Sequence, residues 1–147
     1  MKTWDLVDGV VELPDGRRVR GTGLRRARRG PNVPTPEFGV YLLGRDPRIN
    51  AWQYAWVRWR DFQRPASPHD ALAVLRDAHE RAATERVEIS CAGGTGRTGA
   101  ALAVLALLSG VEPDEAVAWV REHYRSRAVE TRGQKRWIEQ VATSLAC

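Results

Sequence analysis

The ten residues 90–99, SCAGGTGRTG, restrict what this chain can fold into more than any other stretch. They follow a short apolar run, Arg86-Val87-Glu88-Ile89-Ser90, that reads as a strand. They lead into Ala100-Ala101-Leu102-Ala103-Val104-Leu105-Ala106-Leu107-Leu108, which reads as a helix. Glycines between strand and helix let successive backbone N–H groups turn into one concavity. The helix start adds further N–H groups and the positive end of its dipole. Arg97 enters the helix six residues after Cys91 and offers a planar fork to two oxygens of one phosphate. A thiol beside such a field ionises more readily than a free cysteine, whose pKa is about 8.5. A thiolate held under a bound phosphate is placed to attack phosphorus. The expected phosphate-binding set is therefore Ala92, Gly93, Gly94, Thr95, Gly96 and Arg97, with Cys91 as the nucleophile.

The flanking sequence sets this loop in an α/β domain. Residues 3–7 and 10–13 read as strands joined at Asp8-Gly9, a two-residue hairpin signal, and Pro14-Asp15-Gly16 turns the chain into a strand over 17–21. Residues 22–37 read as irregular. From Arg17 to Arg29 there are seven arginines and no acid, which we read as a solvated basic loop, with a basic rim around the phosphate site as the intermediate reading. That stretch lacks base-stacking aromatics, which disfavours a nucleic-acid partner. Residues 38–43 have a buried-strand pattern, 44–50 read as a loop or short helix, and the tryptophan-rich stretch 52–59 as an extended segment. Ser67-Pro68-His69-Asp70 opens a helix to about residue 84, with Ala71, Leu72, Val74, Leu75 and Ala78 on its apolar side. The helix after the Cys91 loop, to about residue 109, is apolar nearly all round and so should be buried, and Gly110 stops it. Pro113 opens a helix to about residue 124 with Val117 and Val120 facing inward, and Thr131-Arg132-Gly133-Gln134 is a capping box for a last helix to about residue 145. The pattern predicts a single domain over residues 1–147, with a central mixed sheet, a parallel core and flanking helices. The Cys91 loop then sits at the carboxyl end of a central parallel strand, where α/β proteins bind ligands.

Three motifs, in chain order, resemble those of the cysteine-dependent protein tyrosine and dual-specificity phosphatases. Cys91 to Thr98 matches their Cys-x5-Arg-Thr loop. Trp59-Arg60-Asp61-Phe62-Gln63-Arg64-Pro65 resembles their mobile Trp-Pro-Asp loop, and Val129-Glu130-Thr131-Arg132-Gly133-Gln134 the loop whose Gln places the hydrolytic water. The resemblance implies a cysteine-phosphatase-like fold and hydrolysis of phosphomonoesters through a phosphocysteine, with no metal or cofactor. It assigns attack to Cys91, phosphate binding to Arg97, proton transfer to Asp61, support of the departing thiolate to Thr98, and water placement to Gln134. Asp70 is the fallback acid, and Gln134 also has a full explanation as a helix cap. Three departures stand out. Ser90 replaces a supporting His, Gly93 a common Ala, and Arg60 the Pro of the acid loop. Ser90 and Gly93 are expected to leave the loop less well supported, and Arg60 to alter loop closure or reach toward an acidic substrate.

Competing patterns fail on particular residues. Gly94-x-Gly96-x-x-Gly99 fits the dinucleotide fingerprint, but no second strand with a terminal acid follows. A phosphate-loop NTPase needs Gly at 91 and Lys at 97, and a sulfurtransferase-type loop leaves Asp61 unexplained. The two cysteines, Cys91 and Cys147, make no disulfide framework or metal-ligand spacing. Net charge is +5, and only Lys2 and Lys135 among the 23 basic residues are lysine, so the surface favours anionic substrates. The longest apolar run, nine residues, is too short to span a bilayer. The first residues lack the apolar core of a leader, which makes a cytoplasmic protein the expectation. The larger tyrosine-specific members' Asn-Arg-Tyr recognition loop is missing, as in a compact bacterial-type or dual-specificity relative. The expected partner is a phosphorylated substrate, a phosphotyrosine protein first. Phosphorylated lipids, sugars, nucleotides or RNA, and a phosphate-binding module without turnover, are the alternatives.

Overall fold

The computed structural model describes residues 3–25 and 34–146. Five strands form one mixed sheet in the order β1-β2-β5-β3-β4. The edge strand β1 (Val10–Glu12) runs antiparallel to β2 (Arg18–Gly23). Strand β2, β5 (Val87–Cys91), β3 (Phe38–Leu43) and β4 (Gln53–Arg58) are parallel. Having neighbours on both sides, β5 is buried along its whole length. Its side chains alternate between faces, and Val87, Ile89 and Cys91 join the main core. Glu88 and Ser90 lie on the opposite face. An acid in mid-strand is tolerated because Glu88 takes a hydrogen bond from Arg20 Nη2 at 2.8 Å and another from Tyr41 Oη at 3.1 Å.

Helix α1 (Pro68–Arg81) packs against β3 and β4, and α2 (Gly96–Leu108) against β5 and β2. Helices α3 (Ala116–His123) and α4 (Arg132–Leu145) pack on α2. Helix α2 is the hub, buried from Gly96 to Ala106, as its uniformly apolar sequence requires. Among the described residues no helix is long and apolar enough to cross a membrane.

The elements follow the expected order from residue 10 onward. Residues 3–7 form no strand. Their one buried side chain is Trp4, whose indole N–H reaches the Val87 carbonyl at 2.8 Å, while Leu6 and Val7 are exposed. With a single anchor and no alternation of burial, the segment has nothing to gain by pairing. The hairpin is β1–β2, closed at Pro14-Asp15-Gly16, and Asp8-Gly9 only turns the chain into β1. Arg26, Arg28, Arg29 and Gly30-Pro31 of the basic stretch, and Cys147, lie outside the described residues. Ser67 holds the N-cap position of α1 without a side-chain bond, and α1 ends at Arg81 rather than near 84. The helix at 113 begins as a 3-10 turn, Pro113–Glu115. The Thr131–Gln134 capping box is present as read.

Candidate active site

Cys91 closes β5, and its buried Sγ accepts hydrogen bonds from the Gly94 amide and Thr98 Oγ1, each at 3.1 Å. Both donors converge on the sulfur from the loop and from the first turn of α2. The local sequence dictates this curl. Gly94 sits at φ +75, in the left-handed region, and a Cβ there would collide with the Gly23 backbone at the end of β2. Strand β2 continues alongside, with Leu24 N bonded to the Cys91 carbonyl at 2.9 Å and Arg25 N to the Ala92 carbonyl at 3.0 Å. Thr95 precedes α2 without capping it by its side chain, so it satisfies none of the first-turn amides that a helix start leaves without intrahelical partners.

Arg97 is 4% exposed. Its Nη1 donates to the Leu42 carbonyl at the end of β3, 3.0 Å, and to the Trp59 carbonyl just past β4, 2.9 Å. Its Nε is buried with no acceptor among the described residues, and Asp61 Oδ1 lies 3.6 Å away, outside hydrogen-bond reach. A buried donor without a partner is costly, and an oxyanion over the loop is the acceptor that would satisfy it.

Asp61 is held by a loop that hangs from the core. Trp59 is fully buried, edge-on to Trp137 with centroids 5.0 Å apart, and its indole N–H bonds the Gln63 carbonyl. Gln63 N bonds the Arg60 carbonyl at 3.1 Å, reversing the chain at Asp61-Phe62. Phe62 takes φ +65 and is 58% exposed at the tip. Asp61, whose side chain is 40% exposed, thus stands between solvent and Arg97. Asp70 sits in the first turn of α1, lining a cavity with Trp56 and Ala71, so Asp61 is the acid that faces the arginine.

Gln134 is fully buried. Its Oε1 accepts from the Glu130 amide at 2.7 Å and the Thr131 amide at 3.3 Å, and its Nε2 has no partner among the described residues. Arg121 clamps the preceding loop through the Ala128 and Val129 carbonyls, both at 2.8 Å. Val129 is held there at φ +65, a strained conformation for a β-branched residue. The clamp turns the Glu130 carboxylate against Gly96, where no side chain would fit.

Two further residues support the loop, and sequence reasoning passes over both. Tyr124 Oη donates to the Gly94 carbonyl. Arg125 Nη1 reaches the Gly93 carbonyl and Thr95 Oγ1, each at 3.2 Å. Burial pushes the Tyr124 phenol up, which keeps it a donor at all ordinary pH values. Ser90 is buried, its hydroxyl has no partner among the described residues, and it bonds nothing in the loop, so the loop draws its support from the end of α3 instead. No local pattern announces a Tyr-Arg pair that acts about 30 residues back along the chain.

A thiol at the carboxyl end of a central parallel strand, under a glycine-rich loop and backed by a buried arginine, makes a site of the cysteine-dependent phosphatase type. The chain belongs to the protein-tyrosine phosphatase family, which residues 28–143 match. It is 29% identical over 75 residues to Tyrosine-protein phosphatase 69D of Drosophila melanogaster, covering 50% of this chain and 5% of that protein. It is 48% identical over 52 residues to an uncharacterized protein of Methanocaldococcus jannaschii, covering 35% of this chain and 34% of that one. The chain thus spans at most about a third of the length of these two relatives. Among solved structures it superposes on Tk-PTP in its active form with a TM-score of 0.69 at 25% identity, covering 90% of this chain and 96% of that one. DUSP15 matches with a TM-score of 0.60 at 10% identity over 75% of this chain and 72% of that one, a likeness of fold.

Proposed function

We propose that this chain hydrolyses phosphotyrosine-type phosphomonoesters in two steps. The loop amides and Arg97 hold the phosphate. The Cys91 thiolate attacks phosphorus in line, a P–S bond forms, and the ester P–O bond breaks. Asp61 gives its proton to the leaving oxygen. Water then attacks the phosphocysteine, Asp61 takes the water's proton, the P–S bond breaks, and phosphate leaves with the thiolate restored. Thr98 Oγ1, already bonded to Sγ, supports that departing thiolate. Gln134 Nε2 is the free donor suited to hold the water. Charge on the equatorial oxygens stays matched by amides and arginine through both steps.

The observation that carries this reading is the pairing of a doubly hydrogen-bonded Cys91 Sγ with the buried, unsatisfied Nε of Arg97 beside Asp61. The test is hydrolysis of p-nitrophenyl phosphate without added metal. Wild type turns it over and is inhibited by vanadate, while Cys91→Ser binds phosphate without turnover. Asp61→Asn slows alkyl phosphates far more than nitrophenyl phosphate, whose leaving group needs no proton. Binding of phosphate with no turnover in wild type assigns the domain to phosphate recognition instead.

A further inference from the structure

We propose that β4 pairs antiparallel with β4 of a second copy of this chain, about a two-fold axis at Ala55, so that two sheets join and α1 packs on α1. Strand β4 is an outer edge of the sheet, bonded on one side only, to β3. Trp59 N bonds the Leu43 carbonyl, so Val57, Ala55 and Gln53, in alternation with it, also turn their amides and carbonyls toward β3. Those of Tyr54 and Trp56 point outward and make no hydrogen bond among the described residues. Natural sheets guard such an edge with a charge, a proline or a bulge. Gln53-Tyr54-Ala55-Trp56-Val57 carries no charge and no proline, and it keeps an unbroken register with β3. Trp56 is 38% exposed on this edge.

The register is set by what is already occupied. The Arg58 carbonyl accepts from Ala66 N at 3.0 Å, which closes the edge at that end. With Ala55 facing Ala55, Tyr54 of each copy lies opposite Trp56 of the other, and each such pair exchanges both of its main-chain hydrogen bonds. Small Ala55 side chains suit the close approach at the axis, and the Tyr54–Trp56 pairs set aromatic against aromatic across the strands. Helix α1 lies over β3 and β4. At a strand spacing of about 4.8 Å the two copies of α1 come to roughly 10 Å, a packing distance for helices. Charge fits the same arrangement. Asp70, at the start of α1 beside a cavity of about 380 Å³ along this edge, has no partner among the described residues. Arg81, at the other end of α1, reaches Gln53 Oε1 at 3.4 Å. The two-fold sets Asp70 of each copy beside Gln53 and Arg81 of the other, so acid meets base on both sides of the axis. A patch that complements itself in this way fits a second copy better than an unrelated partner. Because the paired strands are antiparallel, the two Cys91 loops stand at opposite ends of the joined sheet, and both sites remain open.

The test is sedimentation equilibrium of the full chain, joined to amide hydrogen exchange read residue by residue. Wild type should be a dimer at micromolar concentration. The Tyr54 and Trp56 amides, which β3 does not hold, should be protected in the dimer and exchange about tenfold faster or more after dilution to monomer. Trp56→Lys and, separately, Asp70→Arg should each raise the dissociation constant about tenfold or more, the first by charging the edge and the second by setting like charges together. Circular dichroism melting shows whether each variant is folded, and exchange in wild type decides the matter without either of them. Wild type that stays monomeric overturns the proposal, as does a dimer whose Tyr54 and Trp56 amides exchange freely, or one that survives both substitutions. A monomer that protects these amides only when a phosphotyrosine peptide is added assigns the edge to substrate and overturns the second copy.

Discussion

Thr98 and Ser90 flank the Cys91 loop, and their hydroxyls have opposite fates. Thr98 Oγ1 donates to Cys91 Sγ at 3.1 Å, whereas Ser90 Oγ is buried with no partner among the described residues. Removing a hydrogen bond to a charged group costs about 1.5–3 kcal/mol. Thr98→Ala should therefore lower kcat by about tenfold or more with little change in KM, and Thr98→Ser should restore most of it. A rapid burst of nitrophenolate followed by slow turnover in Thr98→Ala would place the loss in the second step. An unpaired buried hydroxyl, by contrast, contributes nothing but its desolvation. Ser90→Ala should leave turnover near wild type and hold or raise stability by up to about 1 kcal/mol in urea unfolding. A clear loss of stability would mean that the hydroxyl has a partner. Cys91, Arg97 and Thr98 are legible in the sequence because one short loop fixes their spacing, and chain geometry leaves them little freedom. Asp61 and Gln134 are legible only through motifs. Gln134 acts as the cap that its sequence context predicts, and the one group left for chemistry is Nε2.

The phosphate loop is braced by two elements that its own sequence does not mention. The end of β2 lies against it through the Gly23–Gly94 contact, and the end of α3 holds it through Tyr124 and Arg125. Arg125 bonds Gly93, the position where a common Ala is missing, and Thr95 as well. Arg125→Ala should loosen the loop, cutting kcat/KM for p-nitrophenyl phosphate by about tenfold while costing only about 1 kcal/mol in unfolding, since the side chain is partly exposed. Arg125→Lys should rescue part of the activity, and a loss of stability in proportion to activity would argue for a merely structural role. The helices and central strands were readable because periodicity, Pro68, Gly110 and the Thr131 cap are local signals. Residues 3–7 misled because Trp4 looks like strand material. Its burial depends on the Val87 carbonyl, 83 residues away in sequence.

At the scale of the whole molecule, the β1–β2 hairpin turn is tied to the helical layer by the Asp15 carboxylate and by Arg17 Nε, which donates to the His79 carbonyl at 2.8 Å. Asp15, in the hairpin turn, accepts from the Arg17 amide at 3.1 Å and from Arg17 Nη1 at 3.0 Å. It also contacts His79 Nε2, near the end of α1, at 2.8 Å. The same ring nitrogen lies 3.0 Å from Ser109 Oγ, just past α2, so the turn, α1 and α2 meet at one point. Burial alone would push the Asp15 carboxyl up, but the Arg17 amide, His79 and Ser109 together hold it below its ordinary value of 3.8. A carboxylate that ionises more readily folded than unfolded adds stability above the unfolded pKa, and that stability fades as pH falls through the folded value. The contact is partly exposed, its side chain 23% accessible, so its contribution should be about 1 kcal/mol or less. Asp15→Asn should therefore melt about 2–4 °C below wild type at pH 7. The gap should begin to close below pH 4 and vanish once both forms of wild-type Asp15 are protonated. Melting curves of the two proteins from pH 7 down to pH 2.5 check this. A gap that stays constant across that range would assign the effect of the substitution to turn geometry rather than to the ionised carboxylate.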